Sequence, residues 1–410
     1  MEVLKLLQHN QFVLVTGKAG TGKSTLLRQL YQHFLTNNKN MNIFKVAPTA
    51  IASNNIGGIT LHSFVNMGLA QESKEILLQR LNRKSRQNLT NCHLLLIDEG
   101  SMIDPIFFEK LGFLMANCQN HPSKPFGVTR LVIFADFLQL APITNSTKYN
   151  FIFQLPMWKI MNVKKLVLTN IFRQNHPQFI NLLNNIRIGN LNESDIKIIK
   201  SRIKQPPKGV FYTRLTCLRK NSTQFNDAKL NGINSPLFTF KGIIKSICKP
   251  KADKKLVSKL CRYPDKLFPI EINLKLKVGA LVMLRTNNYY PYCNGSIGKV
   301  TDINDNIITV LFSDSKYLQV SRFLFKHDQD PFISITCNQF PLSLAWAFTI
   351  HKSQGLTLSK ALICGSTFAA GQFYVAMSRV RDINDIFIES DDIQIITDDE
   401  AKEYSRLLES

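Results

Sequence analysis

Residues 17–24 read GKAGTGKS, set between the apolar run Phe12-Val13-Leu14-Val15 and a stretch from Ser24 to about Leu35 whose apolar residues recur at helical spacing. A glycine-rich turn that joins a buried strand to a helix is a phosphate cradle, and the spacing G-x-x-x-x-G-K-[ST] is complete here. Gly17, Gly20 and Gly22 let the backbone curl so that successive N–H groups face phosphate oxygens, and the positive end of the helix adds to the attraction. Lys23 is expected to reach the β- and γ-phosphates, and the Ser24 hydroxyl to ligate Mg2+. Ala19, Thr21 and Thr25 lie within or directly after the turn and complete the expected contacts to a nucleoside triphosphate.

Working outward, a short helical stretch from Val3 to His9 comes first, and apolar runs recur at Ile43 to Ala47, Leu94 to Ile97 and Leu131 to Phe134. Continuous apolar strands alternating with helices predict an α/β fold whose parallel sheet is covered on both faces. The run Leu94 to Ile97 ends in Asp98-Glu99 and the run Leu131 to Phe134 in Asp136. Acids at a strand tip beside a phosphate cradle suit nucleotide hydrolysis. Asp98 is expected to hold the metal ion through water, and Glu99 to polarise the attacking water.

The chain has 410 residues, enough for two or three packed units, with 44% apolar and 20% charged residues. Fibrous, collagen-like and low-complexity architectures are excluded by that composition. Fifty-one lysines and arginines against 29 acids give a formal charge of +22, which draws polyanions, nucleic acid foremost. No apolar run approaches bilayer length and no secretory leader pattern opens the chain, so a soluble intracellular protein without a membrane partner is expected. The eight cysteines form no C-x-x-C pair, which predicts neither zinc nor iron–sulfur binding and fits a reducing compartment.

Between Leu69 and Asn91 lies a polar, basic helical segment carrying Arg80, Arg83, Lys84 and Arg86, read as a small insertion. Lysines then become dense between Lys241 and Lys277 (Lys245, Lys249, Lys251, Lys254, Lys255 and Lys259 among them). Short alternating strands follow, with turns at Asn294-Gly295 and Asn304-Asp305, predicting a small β-rich barrel inserted in the second half.

Seven further stretches occur in order: APTAIASNNIGGITLHSF (47–64), LLLIDEGSMID (94–104), FADFLQLAPI (134–143), FRQ (172–174), CNGSIGKV (293–300), AFTIHKSQGLTL (347–358) and GQFYVAMSRV (371–380). With the cradle, they closely resemble the petite-integration-frequency (PIF) family of DNA helicases, a RecD-like branch of superfamily one. The resemblance implies two RecA-like P-loop lobes with parallel sheets, a wedge insertion and an inserted SH3-like β-barrel. The first lobe would span 1–170, with the wedge at about 65–91, the second 171–230 and 333–410, and the barrel 231–332. It implies ATP and Mg2+ in the cleft between the lobes and 5′-to-3′ movement along single-stranded DNA.

By motif, Gln139 would sense the γ-phosphate with support from Asp136. Arg173 and Arg379 would reach the phosphates from the far lobe, and Gly355 would join the nucleotide contacts. Thr49, His62, Ser63, His351, Lys352, Ser353 and Gln354 would face the DNA, and the basic wedge helix would lie near the duplex junction. Expected partners are single-stranded DNA, tailed or forked duplexes and replication or repair proteins, with the chain a monomer; a nuclear, organellar or viral-factory home stays open. A translocase that remodels protein–DNA complexes without unwinding, and a nucleic-acid-binding module with a vestigial ATPase, remain the alternative readings. Departures from the family pattern are Ala135 where glycine is usual, Gly100 where a larger residue is common, and no well-placed glutamine upstream of the cradle to read adenine, Gln8 and Gln11 being the only candidates.

Overall fold

The apolar run before the cradle is strand β1 (Phe12–Gly17), buried at every residue. The computed structural model describes residues 2–38, 40–65, 72–142, 148–207, 212–248, 268, 270–286, 288–292, 296–312, 314–330 and 333–409. These divide into two units, one of Met1–Cys217 with Ile350–Ser410, the other of Leu218–Thr349.

In the first unit, β1 joins β2 (Ile43–Ala47), β3 (Ile59–Thr60), β4 (Leu94–Ile97), β5 (Arg130–Ala135) and β6 (Lys164–Leu168) in one sheet of order β3-β2-β4-β5-β1-β6. Every pairing in it is parallel. Side chains alternate across the sheet, which explains why the strands read as unbroken apolar runs. Val13, Val15, Leu94, Leu96, Val132 and Phe134 enter one core with Val3, Leu7, Leu27 and Leu30 of helices α1 (Glu2–His9) and α2 (Lys23–Asn37). Leu14, Leu95, Ile97, Leu131 and Ile133 enter the opposite core.

The helices follow local signals. Helices α3 (Ala50–Asn55) and α4 (Leu61–Val65) flank β3. The basic segment expected as one helix is two, α5 (Lys74–Arg80) and α6 (Arg83–Thr90). Asn82 breaks it, because its side-chain oxygen accepts the Ser85 N–H at 2.6 Å and so starts a new helix. Helix α7 (Pro105–Cys118) starts with Asp104 accepting from Phe107 N and proline at its first position. After α8 (Pro156–Met161), α9 (Pro177–Ile188) closes on Gly189 in the left-handed region and α10 (Glu193–Ser201) opens on an Asn192–Asp195 capping box.

The same unit holds a second parallel sheet, β7 (Thr213–Thr216), β8 (Ala361–Cys364) and β9 (Ile386–Ile388), with Ala361 opposite both Thr213 and Ile386. Helices α11 (Ile350–Ser353) and α12 (Gln372–Met377) carry the later motifs. Helix α13 (Asp399–Glu409) returns to the first sheet, burying Ala401 and Leu408 in its core. There Tyr404 stacks on Phe153 at 4.1 Å and its hydroxyl accepts from Trp158 Nε1 at 3.0 Å.

The second unit is antiparallel. Strands Tyr317–Ser321, Ile307–Phe312, Ile297–Ile303, Leu281–Leu284 and Leu342–Leu344 lie in that order in one sheet. Phe323–Asp330, Ile333–Gln339 and Ile243–Cys248 form another. The hairpin at Asn304 turns as its sequence predicts, the Asn304 side chain accepting from Asn306 N and Ile307 N. Asn294-Gly295 and Lys249 to Lys259 lie outside the described residues. The unit runs from Leu218 to Thr349. The polar helix Arg219–Asn231 belongs to it, burying Leu230 in the antiparallel core, and Asn226 exchanges hydrogen bonds with the Ala347 backbone.

Candidate active site

The cradle is built as its sequence requires. Gly22 precedes α2 at φ 85°, with no side chain capping the helix, so the first N–H groups of α2 stay open. Thr21 Oγ1 braces the turn by donating to Lys18 O at 2.9 Å. Lys23 Nζ folds back onto the loop, donating to Gly17 O at 2.6 Å and Lys18 O at 3.0 Å. Thr25 is exposed on the first turn and accepts from Arg28. Gly20 has to be glycine: at φ +83°, a Cβ there would lie 2.7 Å from Arg173 Cβ.

The acids follow from the end of β4. Ser24 Oγ donates to Asp98 Oδ2 at 2.7 Å, with Asp98 buried. Burial and the neighbouring Glu99 push the Asp98 carboxyl up, against the Ser24 hydrogen bond and Lys23. A hydroxyl beside a carboxylate is a hard-oxygen donor pair that fits a magnesium ion bound mainly by phosphates and water. Glu99 sits at φ 51°, ψ 45°, a left-handed backbone unusual for a non-glycine residue. Its Oε2 accepts from Gln354 Nε2 at 2.9 Å, and Gly355 comes close enough that a Cβ would sit 3.7 Å from Glu99 Oε1. Gly100 packs so tightly that a Cβ would meet Ile133 Cγ2 at 2.4 Å and Ala135 Cβ at 3.3 Å, so the two departures from the family pattern are neighbours in space.

Cations come in from elements beyond the first sheet. The backbone of Phe172 donates to Gly20 O at 2.9 Å, laying residues 172–174 along the cradle. Arg173 Nη1 donates to Ser378 O at 2.9 Å. Arg379, 1% exposed, donates to Val375 O, Ser353 O, Leu356 O and Ser378 Oγ. Burial pushes the Arg379 guanidinium down to about 9, helped by Arg173 and opposed by Glu99, Tyr374 and Asp136. Burial also lowers Lys23 and Arg173. Among the described residues, none of these three cations is in an ion pair, and their hydrogen bonds go to carbonyl and hydroxyl oxygens.

Gln139 Nε2 donates to Asp136 Oδ2 at 3.0 Å, and Asp136 is paired in turn with Arg187 of α9. Burial would raise the Asp136 carboxyl, but Arg187, Lys23 and the Gln139 hydrogen bond together hold it below its ordinary value. Sequence reasoning missed Arg187, whose place on an amphipathic helix gives no sign of burial. It also passed over Tyr374, whose buried hydroxyl accepts from Ala19 N in the cradle at 2.8 Å, and Phe172, 72% exposed beside Gly22. Its place in the FRQ stretch at 172–174 was the available signal.

Most of the expected strand-facing residues have partners of their own. Thr49 Oγ1 caps α3 by accepting from Ala52 N at 3.2 Å. His62 lies against the Phe107 ring at 4.6 Å, its imidazole lowered by burial with Asp104 opposing, and exposed Ser63 bonds Thr60. On α11, half-buried His351 is also lowered by burial, and Lys352 is exposed. Ser353 and Gln354 are buried, the first bonding Ile350 O and the second reaching Glu99. Upstream, Gln11 Nε2 is committed to Gly127 O and Thr129 O, and Gln8 is exposed.

Residues 3–197 match the family model described as PIF1-like helicase. The ATP-dependent DNA helicase Pif1 of Campylobacter jejuni is 30% identical over 94% of this chain and 90% of its own length. The chain belongs to the PIF1-like helicase family. The ATP-dependent DNA helicase PIF1 of Rattus norvegicus is 32% identical over 93% of this chain, which spans 59% of that relative's length. Among solved PIF1 structures, that of Pif1 helicase from Candida albicans matches with a TM-score of 0.82 at 30% identity, covering 99% of this chain and 98% of its own. Bacteroides sp Pif1 in complex with ADP-AlF4 matches at 0.78 and 29% identity, covering 100% and 96%. The parallel sheets and the added antiparallel unit are therefore a PIF1-type fold. Among the described residues, no helix is long and apolar enough to cross a membrane.

Proposed function

We propose that the chain is an ATP-dependent DNA helicase that moves 5′ to 3′ on single-stranded DNA and separates the duplex ahead. The observation that carries this reading is a set of three cations, Lys23 in the cradle, Arg173 beside it and the buried Arg379, none with a carboxylate partner among the described residues. Buried charge is costly unless compensated, so this arrangement suits a polyanion arriving from outside. A triphosphate would take up the Lys23 donors now turned onto Gly17 and Lys18.

In the proposed cycle, Ser24 and Asp98 would hold Mg2+, which when bound offsets charge on the phosphate oxygens. Glu99 orients and deprotonates the attacking water, Gln139 senses the γ-phosphate through its bond to Asp136, and Phe172 offers an aromatic face to the base. Arg173 and Arg379 stabilise charge on the transferred group only when the segments bearing them close over the cradle, so hydrolysis and closure become one event. Thr49, His62, Ser63, His351 and Lys352 would line the strand path, with hydroxyls and amides on phosphates giving sequence-indifferent grip. A net charge of +22 favours that association. The relatives named DNA helicases, and Bacteroides Pif1 bound to ssDNA, lend the same support.

The test is unwinding of 5′-tailed, 3′-tailed and blunt duplexes with ATP and Mg2+. Separation of the 5′-tailed substrate, abolished by Lys23→Ala, is expected. Equal activity on all three would overturn the directional reading, and strand-stimulated hydrolysis without separation would favour a remodelling translocase.

A further inference from the structure

Residues 353–356 touch two separate parts of the hydrolytic apparatus. The carbonyls of Ser353 and Leu356 receive Arg379 Nη1, at 3.2 and 3.4 Å, and the Gln354 amide donates to Glu99 Oε2 at 2.9 Å. This turn follows α11 directly, so any displacement of that helix is felt at once by the buried arginine and by the carboxylate. Glu99 holds a left-handed backbone, a conformation that persists only where neighbours over-determine it. Gln354 is one such neighbour. Its amide is anchored from one side only: Nε2 is bonded, while the buried Oε1 has no partner among the described residues. An amide held at one end and unsatisfied at the other is easily re-seated, since moving it breaks one bond and can gain two.

We propose that Gln354 is a positioning residue for Glu99, through which seating of the DNA strand on α11 resets the carboxylate for attack and so stimulates ATP hydrolysis. The inference rests on the helicase reading and assigns Gln354 to the acid rather than to the strand. With the strand absent, the amide holds Glu99 against the turn. With His351 and Lys352 engaged by phosphates, the turn shifts and the carboxylate is re-aimed, while Arg379 moves with the same backbone.

The test measures ATP hydrolysis across oligothymidylate concentrations for wild type, Gln354→Ala, Glu99→Gln and the double variant, with strand affinity read by fluorescence anisotropy. Gln354→Ala is expected to lower strand-saturated kcat by about tenfold, less than the roughly 10²–10⁴-fold that an acid–base group itself supplies, with KM for ATP and strand affinity unchanged. In the Glu99→Gln background the same change should add nothing, because a residue that acts through Glu99 has no second route. Gln354→Met, of equal length and without a donor, gives the same reading should the alanine variant fold poorly. Full strand stimulation in these variants, a fall in strand affinity instead of kcat, or additivity with Glu99→Gln would overturn the proposal while leaving the helicase reading intact. Wild-type hydrolysis indifferent to any DNA would overturn both.

Discussion

Arg187 and Asp136, 4% and 1% exposed, form a 3.0 Å ion pair that ties α9 to the end of β5. Asp136 also accepts from Gln139, and Arg187 also reaches Glu409 of α13. Four residues from three separate stretches of chain thus share one network beside the cradle, buried except at Glu409, and its members cannot be exchanged one at a time.

Removing one side of this pair should cost far more than removing both. Arg187→Met leaves Asp136 buried and uncompensated, with an expected loss of about 3–5 kcal/mol. Combining it with Asp136→Leu should recover much of that. Urea denaturation of the two single variants and the double variant measures the difference, and equal losses in all three would contradict the network.

The pair also sets an acid response. Asp136 is held below its ordinary 3.8 in the folded protein, so the unfolded chain binds its proton first as pH falls. Its stabilisation is complete above that ordinary value and lost as pH drops through the lower folded one. Asp136→Asn should therefore flatten the fall in melting temperature below about pH 4, a comparison that thermal scans across the acid range provide directly.

Arg379 is expected to matter to chemistry more than to nucleotide binding. Arg379→Lys keeps a charge but loses the planar fork, and hydrolysis should fall by about 10³-fold or more, as for other arginines that complete a phosphoryl-transfer site. Binding of a fluorescent ATP analogue should change little. A parallel loss of both would place the arginine in ground-state binding instead.

Gly371 begins α12 at φ +75°, and a Cβ there would lie 2.5 Å from Gln139 O and 2.8 Å from Leu138 O. Gly371→Ala combines a strained backbone with a clash against main chain, which cannot swing aside. A loss of about 1–3 kcal/mol is expected, with ATP hydrolysis reduced because Gln139 is displaced; unchanged melting and turnover would show that the contact is dispensable.

The cradle was legible because each residue in it answers a backbone requirement: glycines for the curl, lysine and serine at fixed distances from the phosphates. The strands were legible because both faces of the first sheet are covered, so apolar runs are continuous. Arg187 was not, since an arginine on a helix reads as solvated until its acidic partner arrives from another strand. Tyr374 reads as core aromatic, and only the tertiary fold brings its hydroxyl to Ala19. Gln354 sits in a motif that suggests DNA, and its bond to Glu99 depends on a contact between residues 255 positions apart. The polar helix Arg219–Asn231 gave no compositional sign that Leu230 anchors it to the antiparallel unit.

Helix α13 has a consequence for how this chain can be made. The hydrophobic layer under β1 and β5 is closed by Ala401, Tyr404 and Leu408, which reach the ribosome's exit long after the strands they cover. Until then Phe153 and Trp158 have no lid, and a nascent or truncated chain ending before Asp399 would present them to solvent as a sticky surface. The order in which the residues are synthesised therefore leaves this layer open until the last helix has been made.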